Sequence, residues 1–287
     1  MTVTSFDDSV EIALGSNTQT SVKILNYGAT VLSWKINGKE QLWLSEASKL
    51  DGSRAVRGGI PLVFPRFGPA SGNHPATDKL PQHGFARSVT WELLGQVDDH
   101  TVQFGLGPEN LPKDIAAAWS YDFTLIYTVQ LLQDSLKISL DVKNPGKEAF
   151  DFNVLFHTYF AVPEVQNVTV AGLNKLAYFD KVASAQVASD SEKEVTFCKE
   201  TDRVYRNSPA QVEIKEGSKT LFTVQASNLK DTVVWNPWTE KAQEMSDWAP
   251  KNGFHQMVCV ESGVVADFAK LASDASWTGS VILKAHI

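Results

Sequence analysis

YDFTLIYTVQLLQDSLKISLDVKN, residues 121–144, contains two runs in which apolar and polar side chains alternate, with Gln133 and Asp134 between them. A period of two places every second side chain on one face, the pattern of a half-buried strand. Two such runs joined by two polar residues predict a β-hairpin with its tip at Gln133-Asp134. Runs of the same kind recur along the chain: TSVKILNYG, ATVLSWKING, EQLWLS, SVTWELLG and TVQFGLG before the hairpin, and DFNVLFHTYF, QVEIKEG, KTLFTVQAS, DTVVWNP, HQMVCVES and SVILKAHI after it. They are rich in β-branched and aromatic residues, and many end in Gly, Asn, Asp or Pro. Helical patterning is scarce. Residues 109–119 predict a short helix limited by Pro112, and residues 45–51 another. Neither a βαβ rhythm nor a repeat is present. The expectation is an all-β fold, a large antiparallel β-sandwich of two packed sheets. No Pro/Gly/Ser-rich linker divides it, so residues 1–287 are expected to form a single domain.

Composition narrows the function classes. The chain has 287 residues, 43% of them hydrophobic, enough for a substantial core. Its net charge of −7 argues against a general nucleic-acid binder, whose affinity rests on neutralising phosphates. Cys198 and Cys259 are the only cysteines, too few for a disulfide framework or a four-cysteine zinc site. The N-terminal MTVTSFDDSVEIAL lacks the basic-then-apolar pattern of a signal peptide, and no apolar run reaches the ~18 residues of a membrane span. The Asn167-Val-Thr glycosylation triplet is read as chance without a secretion signal. A cytosolic location is expected, with no nucleic-acid or membrane partner, and nothing in the sequence demands more than a monomer.

Residues 54–87 stand apart, dense in Gly and Pro and too irregular for a regular element. A long loop inside a compact domain is usually functional. Four of the six arginines lie here, Arg54, Arg57, Arg66 and Arg87, with Asp78 the only acidic residue among them. Guanidinium forks and glycine-exposed backbone amides suit an anion, so this segment reads either as an anion pocket or as ordinary surface arginines. Gln82, His83 and Arg87, grouped around Gly84, could serve the hydroxyls of a polar ligand. In DFNVLFHTYF, strand alternation places Phe152, Val154, Phe156, Thr158 and Phe160 on one face. Asn153, Leu155, His157 and Tyr159 fall on the other, mixed face. His157 is then either a hydrogen-bonded structural histidine or an acid/base facing a cleft. In HQMVCVESG, Glu261 is expected at a strand end closed by Gly263, partly buried or solvated. Asp202 and Asp231 are further carboxylates of interest. Trp235 and Trp238 could stack on a sugar or simply pack.

VRGGIPLVFPRFG (56–68), LPQHGFAR (80–87), FHTYF (156–160), ETDRVY (200–205), DTVVWNPW (231–238) and CVESG (259–263) occur in an order that resembles the glucose-6-phosphate 1-epimerase (hexose-6-phosphate mutarotase) family, within the aldose 1-epimerase-like group. The resemblance runs from about residue 20 to 285. It implies a galactose-mutarotase-like supersandwich that interconverts the α and β anomers of a hexose 6-phosphate. It also implies His157 as general acid, Glu261 as general base, and substrate contacts from Arg57, Gln82, Arg87 and Asp202. His83 falls in the pocket motif as a hydroxyl or ring-oxygen contact. Ser262 stands where relatives often have Pro, and Arg66 occupies a variable position, where it either adds an anion contact or faces solvent. No cofactor or metal is expected. The rival readings are an epimerase of unphosphorylated aldoses and a non-catalytic carbohydrate-binding β-sandwich.

Overall fold

The computed structural model describes residues 2–15, 19–188 and 193–287. The hairpin forms as its alternation predicts. Thr124–Leu131 pairs with Ser135–Lys143, and Leu132 donates its N–H to the Ser135 carbonyl across the Gln133-Asp134 tip. Leu125, Tyr127, Val129 and Leu131 on one strand and Leu136, Ile138, Leu140 and Val142 on the other are all buried. Each aliphatic side chain so buried contributes about 1.5–3 kcal/mol.

The hairpin lies inside a nine-stranded sheet. Facing it is an eight-stranded sheet whose central strands are Thr201–Tyr205, Asp231–Asn236, Met257–Leu271 and Phe150–Phe156, in that order. Phe152, Val154, Phe156, Val234, Val258 and Val260 join the hairpin's apolar row in one core. All strand pairs in these sheets are antiparallel. The expected pair of packed sheets is therefore present. A third sheet of five strands, from Thr2–Ser5 to Lys39–Glu40, adds Val10, Ile12, Val22, Ile24 and Trp34 to the same core.

Several local expectations are corrected. Residues 45–51 form no helix; Ser45 Oγ instead donates to the Asp247 carbonyl at 2.7 Å, which ties the segment to a distant loop. EQLWLS makes only isolated bridges at Leu42 and Leu44 beyond Glu40. The helix Trp238–Glu244 and the short strands Val168–Ala171, Tyr178–Asp180, Ala185–Val187 and Val195–Thr196 were not anticipated, because each is too short to show a period.

The outer face of the eight-stranded sheet carries Glu261 and Trp235. Met257, Cys259 and Glu261 alternate with the core residues Val258 and Val260, while Val233 and Trp235 alternate with Val234. Of residues 54–87, Arg57, Phe67, Gln82 and His83 lie over this face, and the stretch 56–68 is largely buried rather than a surface loop. Leu62–Val63 adds a short strand beside Leu155–Phe156. Gly59 lets this segment approach the five-stranded sheet as well: at φ +63°, a Cβ there would lie 2.1 Å from the carbonyl oxygen of Val31 in its strand Thr30–Ile36.

Candidate active site

The strand carrying His157 stops at Phe156 and resumes at Tyr159. In the gap, the His157 N–H donates to the Pro61 carbonyl at 3.0 Å, so the arginine-rich segment fixes this backbone. The ring stacks on Tyr159 (4.7 Å, 9°) and meets Trp235 edge-on (5.8 Å, 87°). The two faces of DFNVLFHTYF divide as expected: Phe152, Val154, Phe156 and Phe160 lie in the sandwich core, and Leu155 and Tyr159 pack on the outer side.

Glu261 is not at a strand end. Met257–Leu271 runs 15 residues, and Ser262 and Gly263 continue it, paired with Phe156 and Leu155. Gly263 serves close packing rather than termination, since a Cβ there would lie 2.5 Å from the Val154 carbonyl oxygen. Glu261 Oε1 comes within 3.4 Å of His157 Nδ1. The carboxylate is 1% exposed and the histidine 8%. His157 Nδ1 and both Glu261 oxygens have no hydrogen-bond partner among the described residues.

Both groups line a cavity of about 320 Å³ together with Arg57, Phe67, Gln82, His83, Asp202 and Trp235. Arg57 donates to the Tyr159 hydroxyl at 3.3 Å and to Asp247 at 3.2 Å, which aim its guanidinium. His83 stands at φ +67°, and its Nδ1 accepts the Gly68 N–H at 3.3 Å. Burial, then Arg87 and His157, hold His83 well below the usual imidazole range. It is thus neutral with its proton on Nε2, free to donate to a ligand. Asp202 pairs with Lys181 at 3.1 Å; burial raises its pKa and Lys181 opposes the rise. Arg87 sits behind the wall, donating to the Gln82 carbonyl at 3.0 Å. Burial pulls its pKa down to about 10, so it stays charged at neutral pH and acts on the site through its field.

The arginine segment thus divides by role. Arg57 and Arg87 serve the cavity. Arg54 is half exposed and pairs with Asp247 at 3.7 Å. Arg66 neither contacts the cavity nor faces solvent: 2% exposed, it donates to the carbonyls of Thr77 and Pro69 and to Asp78, tying the loop together. Asp231 is also structural, accepting the N–H groups of Val265 (2.8 Å) and Ala266 (2.9 Å). Trp235 lines the cavity, whereas Trp238 packs on Phe254.

Three charged lining residues escaped sequence reasoning: Lys181, Glu200 and Lys241. Lys181 sits in the turn after Tyr178–Asp180, its ammonium 4.7 Å over the Phe67 ring, and Lys241 lies on the unforeseen helix. Their local sequences read as ordinary exposed charges. Only the presence of Glu200 in ETDRVY offered a signal.

The field of the site is strongly polarised. Burial, then Arg87, Arg57 and Lys181, push His157 well below the usual imidazole range. Burial, reinforced by Asp202, pushes Glu261 well above the usual carboxylate range. Two ionisable groups shifted in opposite senses and facing one cavity are suited to trading a single proton.

A family model described as aldose 1-epimerase matches residues 11–284, nearly the whole chain. The chain belongs to the aldose 1-epimerase family. Relatives within it include proteins provisionally named glucose-6-phosphate 1-epimerase. One from Cenchrus ciliaris is 31% identical over 276 residues, covering 92% of this chain and 80% of that one. One from Escherichia coli is 30% identical over 272 residues, covering 93% and 87%. Among solved structures, a provisionally named mutarotase of Salmonella typhimurium superposes with a TM-score of 0.81 at 28% identity, covering 99% of this chain and 93% of that one. A Synechocystis protein shares the fold with a TM-score of 0.78 at 23% identity, covering 99% of both chains. The all-β supersandwich is thus the fold of the family. No helix among the described residues is long and apolar enough to cross a membrane.

Proposed function

We propose that the chain interconverts the α and β anomers of hexose 6-phosphates, glucose 6-phosphate first among them, by general acid/base ring opening and closure. The observation that carries this reading is the buried His157–Glu261 pair, 3.4 Å apart at the floor of a polar cavity. A binding module has no use for two unpartnered ionisable groups at that depth, where each costs stability. Sugar-phosphate specificity is supported by the names of the relatives and by the arginines beside the pair.

Glu261 takes the proton of the anomeric hydroxyl while His157 protonates the ring oxygen, and the C1–ring-oxygen bond breaks to give the aldehyde. Rotation about C1–C2 presents the other carbonyl face. Closure returns both protons by the reverse transfers. Only protons and one C–O bond change, so no electron carrier enters the balance. The pair must hold one proton, placed on His157 and off Glu261 at the start. The protein's own field favours the opposite placement. The charges that depress His157 are Arg87, Arg57 and Lys181, and a bound phosphate dianion offsets them. Substrate therefore shifts the proton toward His157. Arg57 holds the phosphate while Arg87 adds its field from behind the wall, remote binding energy that orients the sugar for ring opening. Gln82, His83 and Asp202 receive the hydroxyls. A cytosolic monomer is part of the proposal; both cysteines are free, which suits a reducing compartment.

The test is anomer exchange by NMR saturation transfer on glucose 6-phosphate and on glucose, with and without protein. Acceleration of the phosphate ester alone is expected. Acceleration of free glucose to the same extent would overturn the phosphate assignment. Binding of either sugar without acceleration would overturn the chemistry.

A further inference from the structure

We propose that His157, Cys259 and Glu261 form a site for a thiophilic divalent cation of the Zn²⁺ class, and that its occupancy halts anomer exchange. The halt rests on the function proposed above; the binding does not. Cys259 takes no part in the proton transfers, yet it sits beside them. It lies two residues before Glu261 on the same face of Met257–Leu271, opposite Tyr159 in the neighbouring strand. One donor atom from each of the three residues lies within 4.8 Å of the others, and all three residues are buried.

The geometry is close to what the metal requires. Zinc–nitrogen and zinc–sulfur distances of about 2.0–2.3 Å imply edges of roughly 3.3–3.7 Å in a tetrahedral site. His157 Nδ1 and Glu261 Oε1 already stand 3.4 Å apart. The sulfur needs to approach by only about 1 Å to complete a face. The second observation is independent of spacing. His157 Nδ1 and both Glu261 oxygens are buried without a hydrogen-bond partner among the described residues, where such groups are nearly always satisfied. A metal supplies the partner that the protein does not. Nitrogen, sulfur and oxygen donors select Zn²⁺ and its congeners over Ca²⁺ or Mg²⁺, which want six or more oxygens. Thiolate and carboxylate together neutralise the ion. The fourth position opens to the sugar cavity, where water completes the shell. An ion there occupies the lone pairs of both proton-transfer groups.

The experiment uses the full chain with Cys198→Ser, which leaves one thiol. Cd²⁺ titration is expected to raise a thiolate-to-metal charge-transfer band, absent when Cys259→Ser is added. X-ray absorption of the Zn²⁺-loaded Cys198→Ser protein is expected to show one sulfur at about 2.3 Å. Zn²⁺ should suppress exchange on glucose 6-phosphate, reversibly with EDTA. Each variant is read as a ratio with and without metal, and adding Cys259→Ser should raise the Zn²⁺ concentration needed by about 100-fold. No sulfur in the absorption spectrum, or equal Zn²⁺ sensitivity in both variants, overturns the proposal even if the Cys259 variant folds poorly. A protein that binds Cd²⁺ through sulfur yet never accelerates exchange would keep the site and overturn the catalytic reading.

Discussion

His157 and Glu261 pay for their position in stability. A carboxyl with two unpartnered oxygens at 1% exposure destabilises the fold, and burial raises its pKa. Replacing His157 with Ala, or Glu261 with Gln, should slow anomer exchange on glucose 6-phosphate by about 10²–10⁴-fold, the scale of one acid/base group. Far-UV circular dichroism should be unchanged, since neither side chain holds a hydrogen bond that the fold needs. An unaltered rate in either variant would remove that residue from the mechanism. His157 could be suspected from strand alternation, because a period of two is visible locally. The depth of Glu261 could not, because Gly263 reads as a strand breaker until the Val154 carbonyl is seen packed against it.

At the scale of elements, the segment 54–87 acts as a strap whose stretch 56–68 is largely buried. Its inner half runs over the sheet, and its outer half is a loop tied by Arg66 and Asp78. Arg66→Met should destabilise the protein by about 1–3 kcal/mol, since the Thr77 and Pro69 carbonyls lose their donor. Denaturant unfolding measures this. Asp78 accepts the N–H groups of His74 and Ser71, which with its other contacts hold its pKa below the ordinary 3.8. A depressed folded pKa means that its stabilisation is present above 3.8 and lost as pH falls through the lower folded value. Protection of the Ser71 and His74 amides, taken relative to the intrinsic exchange rate at each pH, should therefore fall on acidification, and Asp78→Asn should abolish that dependence. Gly59→Ala should cost about 1–3 kcal/mol from its left-handed backbone alone, and more from the clash with Val31. If thermal unfolding of that variant matched the parent protein, the strap would not be packed as described.

For the whole molecule, the decisive feature is convergence. Arg57 and His83 arrive on the strap, His157 in a strand gap, Asp202 and Glu261 on separate strands of one sheet. Arg57→Ala should raise KM for glucose 6-phosphate by about tenfold or more, a lost charge-assisted pairing with phosphate, while leaving exchange of free glucose nearly unchanged. Equal losses on both sugars would make Arg57 a structural residue that only anchors Asp247 and Tyr159.

Local pattern was enough for the all-β class, the hairpin at 121–144 and the face on which His157 stands, because alternation is written into neighbouring residues. Ordered motifs, taken together, were enough for the family. Which arginine lines the cavity, whether Glu261 ends a strand or lies within one, and the presence of Lys181, Glu200 and Lys241 in the wall were decided only in three dimensions. Those properties depend on contacts between segments tens to hundreds of residues apart, and burial, which lowers the pKa of His157 and raises that of Glu261, exists only once the sheets have packed.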